Sequence, residues 1–183
     1  MADEVIDAFT AEALFAELFL RWYKPLEREI HGGVLPPARE PLAARPASEL
    51  PEHARGVILR QLERMTQAAQ QDQARFLPEN GQLGALWLRT FERAFTVDEA
   101  RNLAVMADPE DRNNDFVVLC CEIAAAFGHL LKEADPTLEW IPEAPYWESW
   151  LFRPADNMKL HPFAATLRFM STSRDGLLSD WLT

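Results

Sequence analysis

The run from Asp111 to Asp135, DRNNDFVVLCCEIAAAFGHLLKEAD, constrains this chain more than any other passage. Its apolar residues fall at Phe116, Leu119, Cys120, Ile123, Phe127, Leu130 and Leu131. At 3.6 residues per turn these clothe nearly the whole circumference of a helix. A helix that is apolar on almost every side must be surrounded by other elements, so this one is expected at the centre of a domain. The 183 residues are 48% hydrophobic and 26% charged, enough for one domain with a sizeable core.

The elements to surround it are written on either side. TAEALFAELFLRWYKPLEREI, residues 10–30, opens on a capping threonine and places Phe15, Phe19, Trp22 and Leu26 on one helical stripe, widened by Leu14 and Leu18. Pro25 should kink that helix or end its regular part near Lys24. HGGVLPPAREPLAARPASELP follows, with two glycines and five prolines. It reads either as an extended connection wrapping the surface or as a mobile linker that leaves residues 1–30 as an arm. A second helix is expected from the Ser48 cap through Val57, Ile58, Leu62 and Met65, ending in a polar, solvent-facing stretch. After a breaker at Pro78–Gly81, a third places Leu83, Leu86, Trp87, Thr90, Phe91 and Ala94 on one face. Thr96 with Glu99 three residues later predicts a reciprocal cap on a fourth.

Past Pro136 the apolar period changes to two. Leu138–Ile141 and Tyr146–Phe152 read as strands, with a short third around Met158–Leu160 after a turn at Pro154–Asn157. Pro162 suits the first turn of a last packing helix, PFAATLRFM, before a short tail. The expectation is a single α+β domain over residues 1–183, with a mainly helical N-terminal two-thirds packed on a small antiparallel β-meander near the C-terminus.

Charge and cysteine content narrow the function classes. The formal net charge is −11, and between Thr96 and Glu148 twelve acids face only Arg101, Arg112 and Lys132, so that segment carries −9 of it. Such a field repels nucleic acid and anionic membrane and attracts basic proteins; the plainer alternative is a well-solvated surface. No run reaches the ~18 apolar residues of a membrane-spanning helix. The acidic N-terminus, MADEVIDAFTAEALF, is unlike a secretory signal, and a cytoplasmic location is expected. Fifteen arginines against three lysines suit a GC-rich bacterial gene. The adjacent Cys120 and Cys121 read as buried thiols.

No nucleophile elbow, phosphate loop, dinucleotide fingerprint or metal-ligand repeat is present, and no cofactor is expected. Asp108–Asp115 lacks the turn glycine and the twelfth-position glutamate of a calcium loop. Glu122, His129 and Glu133 fall on one side of the central helix and frame an alternative reading, a metal-dependent hydrolase, with His161 as a further candidate; a plain His129–Glu133 pair is the alternative.

The aromatic strands carry the other reading. With Tyr146, Glu148, Trp150 and Phe152 on one face, Trp147, Ser149, Leu151 and Arg153 look outward beside acidic residues, and Trp140 and Glu143 lie nearby. Burial of both tryptophans under helices competes with this. At PYWESWLF, continued by a turn and LHPFAATLRFMS, the chain resembles small uncharacterised bacterial cytosolic proteins grouped with the immunity proteins of toxin systems. The resemblance covers about forty residues at the C-terminal end and implies partner binding without catalysis. The expected function is a non-catalytic protein-binding domain that masks a basic partner, such as a toxin, through Trp140, Glu143, Trp147, Glu148 and Arg153. A third reading is a structural or regulatory subunit docking through Phe15, Phe19 and Trp22.

Overall fold

The computed structural model describes residues 9–31, 33–44, 47, 49–77, 79 and 81–182. Its centre is α6, Asp115–Ala134, the sixth of seven α-helices among the described residues. The Asn114 side chain accepts from the Val117 amide at 2.9 Å and starts α6, and most of its residues are then buried. Burying a leucine- or phenylalanine-sized side chain stabilises by ~1.5–3 kcal/mol, so this helix alone supplies a large share of the driving force.

The first segment is not one regular helix. Thr10 caps α1, Ala11–Leu14, by accepting from the Ala13 amide at 3.2 Å. The chain widens to a π-turn over Phe15–Phe19 and tightens over Leu20–Trp22, placing Phe15, Leu18 and Phe19 in the core. It breaks there, and Pro25 opens α2, Pro25–His31, where its missing amide costs nothing.

The helix α3, Glu52–Asp72, follows Pro51 and buries Ile58, Leu62 and Ala69, while Val57 is exposed. The expected cap at Ser48 lies outside the described residues, as do Pro78 and Asn80 of the expected breaker. Trp87, Leu88 and Phe91 of α4, Ala85–Ala94, are buried, while Leu86 is exposed. The reciprocal Thr96–Glu99 cap starts α5, Val97–Met106. α7, Pro162–Phe169, is buried along nearly its full length beside α6.

The sheet has four antiparallel strands in the order β1-β4-β3-β2. β2 (Glu139–Ile141), β3 (Trp150–Arg153) and β4 (Met158–Leu160) form the meander near the C-terminus, so the chain is an α+β protein. The fourth strand, β1 (Arg39–Pro41), comes from the proline-rich connection and lies along β4, with Arg39 opposite Leu160 and Pro41 opposite Met158. Proline is tolerated there because β1 is an edge strand.

Two details differ from the sequence reading. Tyr146–Glu148 is a 3₁₀ turn after a cis Ala144–Pro145 bond, closed by bonds from Glu148 N to Pro145 O and from Ser149 N to Tyr146 O. The strand therefore begins only at Trp150. The two sides of the sheet are also exchanged. Leu138, Leu151 and Leu160 join the helical core, whereas Ile141, Trp150 and Phe152 form a separate cluster with Leu42 of the connection. Ser149 and Leu151, expected to look outward, are buried because theirs is the side that packs on the helices, while the connection covers the other. Among the described residues no helix is long and apolar enough to cross a membrane.

Candidate functional site

The 3₁₀ turn fixes Trp147 and Glu148 against the start of the chain. Trp147 packs edge-on to Phe19 and Tyr23 with ring centroids 5.7 and 6.0 Å apart, and Phe163 of α7 closes the cluster. Its Nε1–H donates to the Tyr23 hydroxyl at 3.1 Å, and that hydroxyl donates to the Glu148 carboxylate. Burial, then the Glu148 charge, pushes the Tyr23 phenol far above its usual value, so it stays a donor at every physiological pH. Trp147 and Glu148 are thus half-buried parts of a bonded chain, joined by the buried Tyr23, a residue that carries no local sequence signal for this role.

The other expected site residues are dispersed. The Glu143 backbone is held by Ser149, whose hydroxyl accepts from the Glu143 amide at 3.1 Å. Arg153 forms a two-pronged pair with Asp156 at 2.9 and 2.7 Å across the β3–β4 turn. That pair raises the guanidinium's affinity for its proton and lowers the Asp156 carboxyl.

Trp140 occupies a different kind of place. Its indole lies against α6 at Gly128, where a Cβ would fall 2.5 Å from the ring's Cη2 and 3.2 Å from Cγ of Pro162. The half-buried ring forms one wall of an open groove of about 610 Å³ between α3, α6 and β2. Glu63, Thr66, Gln67, His129, Lys132 and Glu139 also line it. An isolated glycine inside an otherwise apolar helix was the available signal for the close approach.

The residues of the hydrolase reading separate. His129 and Glu133 pair on the surface at 3.3 Å. Glu122 is buried, beside Asp72 and Gln73 at the end of α3. Burial first, and then the Asp72 carboxylate, raise the Glu122 carboxyl to about 7. Among the described residues no group of three histidines, cysteines, aspartates or glutamates is arranged to hold a metal ion. His161 is buried on the sheet, its ring 6.4 Å from Trp150 and its Nε2 3.7 Å from Glu40; burial, then the charges of Lys159 and Arg168, lower it to about 3. Both thiols are buried, with Cys121 pushed up to about 12 chiefly by loss of solvent.

The acidic segment is divided by the fold. Asp108, Glu110, Asp111 and Asp115 sit at the start of α6, whereas Glu133, Asp135 and Glu139 lie at or beyond its end. At 1.5 Å per residue those two groups are ~30 Å apart. Several acids are engaged locally: Glu110 pairs with Arg21, Glu99 caps α5, and Asp135 accepts from Thr137. Glu139 of the second group lines the groove walled by the partly open Trp140.

No protein-family model matches the chain, and no curated protein or solved structure matches it either.

Proposed function

We propose that the protein is a non-catalytic binding domain that takes hold of a basic protein partner at the Trp140 groove, an immunity-type role in which the partner is a toxin. The observation that carries this reading is the groove's composition. The Trp140 indole shares this lining with Glu63 and Glu139, together with Gln67 and Thr66. A lysine or arginine side chain entering there would meet the face or edge of a tryptophan and two carboxylates, a combination that suits a cation with an apolar stem. Glu133 and Asp135 at the same end of α6 add long-range attraction. The groove's own Lys132 limits the net charge, so orientation rather than field strength would set specificity.

Relative to the expected five-residue surface, the working residues move. Trp140 stays central, Glu63 and Glu139 replace Glu148, and Arg153 is committed to Asp156. Affinity capture at low salt from the source cells tests the proposal. A basic protein retained in stoichiometric amount by the wild type and released by Glu63→Lys with Glu139→Lys supports it. Recovery of no such partner, or retention unaffected by the double reversal, contradicts it.

A further inference from the structure

A second cavity, of about 340 Å³, opens where the 3₁₀ turn meets α3 and the start of α6. Its size falls within the range of small-molecule sites, which are mostly apolar with a few placed polar groups. Ile58, Met65 and Val117 supply aliphatic wall, and Tyr146 and Trp147 supply ring surface. Arg112 lies at its exposed edge with the Asn113 and Gln61 amides.

Two observations give this cavity a preference. In a chain of net charge −11, Arg112 makes no ion pair or hydrogen bond among the described residues. The neighbouring Asp111 turns its carboxylate instead to the Asn113 amide at 2.9 Å. Arg112 lines the same cavity as Tyr146, near enough for its charge to act on that hydroxyl. Trp22, also in the wall, has an Nε1–H that is out of contact with solvent and has no acceptor among the described residues. Leaving such a donor without a partner is costly, and a ligand oxygen that accepted from it would recover that cost.

We infer that this cavity is a binding site for a small organic carboxylate with a flat apolar body. The acid group pairs with the Arg112 fork and takes the Asn113 or Trp22 donor, while the body lies between Met65, Val117 and Trp147. The site is independent of the Trp140 groove, since the two share no lining residue.

Calorimetric titration of the full chain with 2-naphthoate and with its neutral analogue 2-naphthamide decides the matter. The acid should bind about tenfold tighter than the amide, and Arg112→Gln should erase that difference. Arg112 is exposed, so the variant should keep the wild-type melting temperature, which is checked alongside. Equal affinity for acid and amide, a preference that survives Arg112→Gln, or binding of neither compound would overturn the inference.

Discussion

At Gly128 the central helix gives up a side chain so that Trp140 can lie on its backbone. Gly128→Ala gains about 1 kcal/mol of helix propensity and incurs an overpacking cost of about 1–3 kcal/mol. The overpacking wins, and denaturant unfolding should show a net loss of about 1 kcal/mol with a shifted tryptophan emission. Gly56→Ala on α3 is the contrasting case, since its Cβ would meet only Arg60 at 3.5 Å; it should stabilise by roughly 0.5–1 kcal/mol. Glu122 gives a pH dependence of known sign. Between its ordinary value of 4.5 and about 7 the folded chain keeps a proton that the unfolded chain has released. Its contribution to stability therefore falls as pH rises through that window, and Glu122→Gln should flatten the fall in urea midpoints measured at either side of it. The Thr96–Glu99 cap could be read from the sequence because both halves of the interaction lie within four residues. The Tyr23–Trp147–Glu148 chain could not, because its partners are more than a hundred residues apart and nothing local distinguishes a tyrosine that will find them.

Elements repeat that distinction. α6 was legible because an apolar helix of its length has one stable place, and α7 because Pro162 marks its first turn. β1 was hidden because three residues ending in proline carry no strand period, and its pairing depends wholly on β4. The strand expected from Tyr146 was shortened by turn chemistry at Pro145, which period counting ignores. The C-terminal turn, Leu178–Leu182, is held to α4 by a buried carboxylate: Glu92 accepts from Ser179 N at 2.8 Å and from Ser179 Oγ at 2.6 Å. Removing the carboxylate leaves two buried Ser179 donors unsatisfied, at about 1–3 kcal/mol each. Glu92→Ala should therefore cost at least about 2 kcal/mol in chemical unfolding and turn trypsin cleavage after Arg174 from slow to fast. A tail cut no faster in the variant would show that Trp181, edge-on to Phe127 at 5.9 Å, holds the turn by itself.

For the molecule as a whole, the fold converts one stretch of charge in the sequence into two separated groups, and the second adjoins the groove walled by Trp140. That division moves the proposed binding surface from the 3₁₀ turn to the groove, and makes the encounter with a basic partner sensitive to salt. The most direct measurement is a titration with an arginine-rich peptide followed through the six indole N–H resonances of the ¹⁵N-labelled protein. We predict that Trp140 shifts first and furthest, that the fully buried Trp87 stays still, and that the Trp140 shift weakens with salt and disappears in Glu63→Lys with Glu139→Lys. A Trp140 resonance that does not move, or that moves equally in the charge-reversed protein, would contradict binding at the groove.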